Sequence, residues 1–243
     1  MKYILILLWF SISLFGSYIK SEIESVNGDE VTIKIDEIQK GISGFVVHKL
    51  SNNRSTIVNS VRVVDYDKEA KVAKLKLLDF TMFRNNNLPS LKYKAQKGDI
   101  VILAFGYNRG LLIAPNEEIY YILTKAMKGE LFVHPDVFAT LLSYNGHPSP
   151  LKSDFTGFCN NVSVGLVFFY IEKNLYTVDC NSFKILNVQK APLKQEKTQK
   201  PFYSRVEKID ANWFGEGSDE IENYEQYYKE LLEEYNDDYF DED

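Results

Sequence analysis

From Ser21 to about Leu103 apolar and polar residues alternate with a period of two, in short runs broken by turn-forming dipeptides. Neighbouring side chains of an extended chain point to opposite faces, so this pattern suits antiparallel strands with one buried face. Val31, Ile33 and Ile35 alternate with Thr32 and Lys34, and Asn27-Gly28 before them tolerates the positive φ of a tight hairpin turn. Gly44–Leu50 reads as the next strand, Asn52-Asn53 as a turn, and Thr56–Tyr66 and Ala70–Leu78 as two more strands. Gly98-Asp99 then opens the continuous apolar run Ile100–Ala104, which suits a central strand. Short strands at this spacing predict a small barrel or sandwich over residues 21–104. Between the strands, Phe80 to Lys97 is a long polar connection containing three asparagines and Pro89, and it is expected to be mobile.

The texture changes after residue 104. Gly106 and Gly110 read as the bounds of a hairpin turn, and Leu111–Ala114 as a strand. Ile119, Ile122, Leu123 and Met127 recur at helical spacing behind Asn116, a plausible N-cap. A second helix is expected from Pro135, with Val137, Phe138, Leu141 and Leu142 inward and Asn145-Gly146 as its stop; a third spans Lys152 to Cys159. Val162–Ile171 and Leu175–Asp179 form a strand pair with Lys173-Asn174 at the turn. Residues 105–187 therefore read as an α+β unit beside the barrel, and the whole chain as α+β.

Residues 188–215 carry Lys190, Lys194, Lys197 and Lys200 with Pro192 and Pro201 nearby and no apolar period, the composition of a basic linker. In residues 216–243 the periodicity returns. Ile221, Tyr224, Tyr228, Leu231 and Tyr235 step by three or four, and Asp219 with Glu222 resembles a capping box. The opposite face is acidic, so like-charge repulsion weakens the isolated helix. The segment is expected to dock its aromatic face on the basic body or on a partner such as another envelope protein; a disordered tail is the alternative.

At the other end, Lys2 precedes an apolar run from Tyr3 to Phe15, followed by Gly16 and Ser17. That is the architecture of a signal peptide over residues 1–17. The run is shorter than the ~20 apolar residues a spanning helix needs, so no integral membrane span is expected after cleavage. Such a chain is exported, to the periplasm, the cell surface or an outer-membrane association. Cys159 and Cys180 would meet an oxidising compartment there, where they can form one disulfide or remain two buried thiols. Net charge is -6 but unevenly placed: thirteen acidic residues and one lysine follow residue 215. An acidic tail of that density repels phosphates and argues against nucleic-acid binding.

No catalytic constellation emerges. His48, His134 and His147 have no histidine or cysteine at metal-ligand spacing, so each reads as structural or solvated. Gly-x-Ser-x-Gly, a phosphate loop and a dinucleotide fingerprint are all missing, and no cofactor or metal is implied. An enzyme would need a pocket grouping polar side chains such as His134, Asp136 and Asp154.

Several ordered blocks look familiar together: Gly41–Lys49, Gly98–Leu103, Arg109–Asn116, Phe132–Ala139, Phe158–Asn161, Ser163–Leu166 and Leu175–Phe183. Over about residues 22–187 the pattern resembles the N-terminal domain of the bacterial plasminogen-binding surface proteins. The resemblance implies an exported binding protein that captures host plasminogen, whose kringles recognise lysine, most readily one at a chain terminus. The sequence ends at Asp243, so an internal lysine beside a carboxylate is expected to serve. Lys229, with Glu225 one turn before and Glu233 one turn after, is the first candidate for that role. The linker lysines, Lys200 among them, come second, although only Glu196 lies between them. The rival reading is a periplasmic scaffold or assembly factor with no plasminogen role.

Overall fold

A computed structural model describes residues 18–80 and 93–240. The expected signal peptide and most of the polar connection after Phe80 lie outside the described residues. The alternating region forms six strands: β1 (Ile19–Asn27), β2 (Glu30–Lys34), β3 (Ser43–Ser51), β4 (Arg54–Asp67), β5 (Val72–Asp79) and β6 (Ile100–Leu103). They close into a barrel of order β1-β2-β5-β4-β3-β6, all neighbours antiparallel. Closure joins β1 to β6 with Ile19 opposite Leu103, which leaves no sheet edge to protect. The alternation does what was expected of it: Ile23, Val31, Ile33, Val46, Leu75 and Val101 point inward and are fully buried. Each such side chain contributes about 1.5–3 kcal/mol of burial. Gly28 takes the positive φ of 63° that the β1–β2 turn needs.

The second unit is a five-stranded sheet of order β11-β10-β9-β7-β8. Its strands are β7 (Arg109–Ile113), β8 (Leu131–Val133), β9 (Leu166–Ile171), β10 (Asn174–Asp179) and β11 (Ile185–Lys190). β7 runs parallel to both neighbours, while β9, β10 and β11 are antiparallel. Every residue of β9 is buried, because the sheet is covered on both sides. Leu166, Phe168 and Tyr170 join the cluster continuous with the barrel core; Val167, Phe169 and Ile171 face the helical layer. Helices α1 (Glu117–Ala126), α2 (Pro135–Asn145) and α3 (Lys152–Val162) follow the strands, and α4 (Tyr224–Tyr235) with the short α5 (Asp237–Phe240) completes the chain. Asn116 caps α1 by accepting from the Ile119 amide at 2.9 Å, and Gly146 ends α2 in the left-handed conformation.

Several sequence expectations need correction. The Gly106–Gly110 segment is not a hairpin turn: β6 belongs to the barrel and β7 to the second sheet, so it carries the chain between them. Gly165 presses against it so closely that a Cβ there would lie 2.5 Å from the Gly106 carbonyl carbon, Gly106 itself has a φ of 76°, and a Cβ on Gly110 would lie 2.6 Å from the Phe168 ring. The β9–β10 turn is Glu172-Lys173, one residue earlier than expected, both with positive φ. Ile122 and Val137 are exposed, and Tyr120 and Ala139 take the inward positions instead. β8 had no signal in so short a run.

The stretch read as a basic linker is packed. It begins inside β11 and continues as an irregular strap with Phe202, Tyr203 and Ile209 buried. The Asp219/Glu222 capping box does not form either. The helix starts at Tyr224, capped by Asn223, whose side chain accepts from the Gln226 amide. The aromatic face of α4 docks on the protein's own sheet, burying Tyr224, Tyr228, Leu231 and Leu232, so the fully disordered tail is excluded over 224–235. That apolar face is thereby unavailable to a partner.

Candidate functional site

The docking of α4 sets the geometry of the lysine candidates. The Tyr224 hydroxyl is shared between the carbonyls of Ile113 and Tyr170 at 3.1 and 3.0 Å, and the Tyr228 hydroxyl donates to the Pro201 carbonyl at 3.0 Å. Both are fully buried phenols, and loss of hydration pushes their pKa well above 10.0. They tie α4 to the middle of the sheet and to the strap at once. The acidic face of the helix is left outward.

On this face Lys229 forms no ladder with Glu225 and Glu233, contrary to expectation; its ion pair among the described residues is with Glu172, at 3.9 Å. Glu225 serves the same turn differently: its carboxylate accepts the Glu172 backbone N–H at 2.7 Å. Glu172 and Lys173 have φ of 48° and 64°, a backbone that favours glycine, and the bond from α4 helps to hold it. The ammonium of Lys229 and the carboxylate of Glu172 remain about half exposed, at 44% and 56% of the side chain. An ammonium and a carboxylate are thus displayed side by side on a rigid corner made of two elements. Glu172 was missed because it lies in a hairpin turn far from Lys229 in sequence, and nothing local marks a turn residue as the partner of a distant helix.

Lys200 lies on the strap immediately before Pro201, exposed, with Nζ 3.4 Å from the Glu222 carbonyl. Because Tyr228 bonds to Pro201, the strap carrying Lys200 meets the helix carrying Lys229. Glu233 has no part in the Lys229 pair; its backbone carbonyl accepts from the Asn236 amide.

Cys159 and Cys180 form a disulfide, with Cα atoms 6.3 Å apart, which fastens α3 to the end of β10. The histidines pair with carboxylates: His48 with Asp99 at 2.7 Å, His134 with Asp136 at 3.1 Å and His147 with Asp154 at 2.9 Å. Asp154 also accepts from Asn145 and the Leu151 amide, which fixes the start of α3. Asp136 is bound by Arg205 of the strap at 2.7 Å; burial raises its pKa, but the Arg205 bonds and the neighbouring His134 outweigh that and leave it below 3.8. His134 and Asp136 thus belong to one helix start and Asp154 to another, and none of the three lines the cavities of 300, 750 and 240 Å³. Among the described residues no group of three or more histidine, cysteine or acidic side chains could hold a metal ion, and no helix is long and apolar enough to cross a membrane.

The architecture is thus a closed barrel beside a two-faced sheet, with charged groups displayed outward over an aromatic core. Residues 18–232 match the family model described as the plasminogen-binding protein pgbA N-terminal domain, and the chain belongs to that family. The match extends past residue 187, where the familiar sequence blocks end, and takes in the strap and most of α4, in keeping with their packing. Among curated proteins the chain is similar to the plasminogen-binding protein PgbA of two Helicobacter pylori strains, at 35% identity over 199 residues in each case. That alignment covers 81% of this chain and 43% of the relative, so the chain spans less than half the length of the proteins it matches. No solved structure matches it.

Proposed function

We propose that this chain is an exported envelope protein that binds host plasminogen through lysine-dependent contacts centred on Lys229. The similarity to plasminogen-binding proteins suggests the partner, and the observation that carries the site is the exposed Lys229–Glu172 pair at the corner of α4 and the β9–β10 turn. A lysine-recognising receptor needs a cation to engage and tolerates a carboxylate close by, and this corner presents both without an unfolding cost. Breaking a surface ion pair costs at most about 1 kcal/mol, so a receptor can capture the lysine readily. Lys200, on the strap that meets the same helix, is the second contact.

The test is binding of the protein lacking residues 1–17 to immobilised plasminogen, with and without a soluble lysine analogue. The expected result is binding that the analogue abolishes, weakened about tenfold by Lys229→Gln and less by Lys200→Gln, with unchanged thermal stability. Binding indifferent to the analogue, or no binding, overturns the reading. Export to the surface is tested separately by adding protease to intact cells: digestion supports host capture, and full protection favours the periplasmic scaffold.

A further inference from the structure

The cleft between the barrel wall and the helical layer has a composition that the plasminogen reading does not use. About 300 Å³ is enclosed where the outer faces of β3, β4 and β5 meet α3 and the turn after β10. Arg62 on β4 and Lys152 at the first turn of α3 line it from opposite units. Among the described residues neither cation has an ion pair. Lys152 instead sits over the Tyr235 ring, 3.8 Å from its centroid. Burial lowers the Lys152 pKa most, the Arg62 and Lys184 charges lower it further, and the Glu234 carboxylate offsets part of this. Two cations are therefore held near each other at one cleft; among the described residues its wall carries one carboxylate, Asp79, and Glu234 lies on the other side of Lys152. Like charges brought together repel, and an anion bound between Arg62 and Lys152 would relieve that.

Two further features narrow what would relieve them. Asn160, also on the wall, has its Oδ1 buried with no hydrogen-bond donor among the described residues. An orphaned acceptor of this kind costs about 1–3 kcal/mol unless something supplies an N–H or O–H. On the barrel side the wall is aromatic: Phe45 and Phe105 meet edge to face at 5.3 Å, and Phe105 is nearly half exposed. Clefts between units, with a few convergent polar groups on an apolar wall, are where small groups bind.

We propose that this cleft binds the carboxyl end of a peptide whose last residue is apolar. The carboxylate lies between Arg62 and Lys152, the last backbone N–H donates to Asn160 Oδ1, and the side chain rests on Phe45 and Phe105. A carboxylate satisfies the cations, an amide proton satisfies the orphan, and an apolar side chain covers the exposed ring. These three groups occur at fixed spacing at the end of a polypeptide whose last residue is apolar. The proposal is independent of the plasminogen reading, since it uses other residues on other elements.

The probe is acetyl-Gly-Gly-Phe with a free carboxylate, titrated into the protein by calorimetry beside the same peptide amidated and inorganic phosphate. The free acid is expected to bind at least tenfold more tightly than either control. Arg62→Gln and Asn160→Leu should each weaken it by about tenfold, and Lys152→Gln by several-fold. Circular dichroism and the melting temperature verify that each variant is folded, and Lys128→Gln, at an exposed position outside the cleft, serves as a folded control that leaves the affinity unchanged. Equal binding of acid and amide, equal binding of phosphate, or no heat with the folded wild-type protein would each overturn the proposal.

Discussion

The barrel and the sheet beside it are stabilised by different means. The six barrel strands all come from one stretch, residues 19–103, and the core they enclose is aliphatic, built from Ile23, Val31, Ile33, Val46, Val61 and Leu75. The helical side of the second sheet is aromatic: Phe138 packs on Phe155 and Phe158 at 4.7 and 5.1 Å, and Phe169 on Tyr228 at 5.5 Å. That core is finished by residues from the far end of the chain, Phe202 of the strap and Tyr224, Tyr228 and Leu232 of α4. One half is closed by its own strands; the other is a sheet that stays open until the C-terminal segment covers it. The acidic end is therefore a structural element as much as a display surface.

Removing everything after Glu222 should break this comparison most sharply. Each buried tyrosine or leucine lost costs about 1.5–3 kcal/mol, and several together rival the whole stability of a domain. Hydrogen exchange should show β9–β11 losing protection while the barrel amides retain theirs; uniform loss would show that the two halves fold as one.

Asp179 at the end of β10 joins the halves. It is fully buried and accepts from the Ser43 amide and hydroxyl at 2.9 and 2.8 Å, the Tyr107 hydroxyl at 2.5 Å and the amides of Asn181 and Ser182. Asp179→Ala strands these donors and should cost about 3–5 kcal/mol in urea unfolding. A cost below about 1 kcal/mol would show that apolar packing alone holds the interface.

Replacing both Cys159 and Cys180 by alanine removes the clamp between α3 and β10 and should cost about 3 kcal/mol, on the side of the sheet away from the barrel. Thermal melts with and without reductant measure it, the variant being insensitive to reductant.

The smallest effect is alkaline. Tyr227, whose hydroxyl donates to the Pro150 carbonyl, is pushed up to about 12, mainly by burial and then by the charges of Asp154, Glu216 and Glu234. A phenol with a raised folded pKa binds its proton more tightly when folded. Its contribution is complete below the ordinary value of 10.0 and is lost as pH rises from there through about 12. Tyrosinate absorbance should therefore lag behind that of free tyrosine in this window and then appear together with loss of the α4 helix; titration at the ordinary value with the helix intact would place these rings in water.

What the sequence determined was whatever depends on neighbours along the chain. Period-two alternation located the strands of the barrel, Asn116 and Gly146 marked helix ends, and the three-and-four spacing of Ile221, Tyr224, Tyr228, Leu231 and Tyr235 identified an amphipathic C-terminal segment. Family membership was legible too, in ordered blocks of residues. Only the tertiary structure decided what the apolar stripe of α4 covers, because a hydrophobic face records that it must be buried but not against what. The same holds for the strap, whose Phe202 and Tyr203 have no period to announce them. It also holds for Glu172 and Asp179, single carboxylates whose partners are brought to them by folding. Alternation is a local consequence of backbone geometry, whereas an ion pair or a buried hydrogen bond requires two distant groups to arrive at one place.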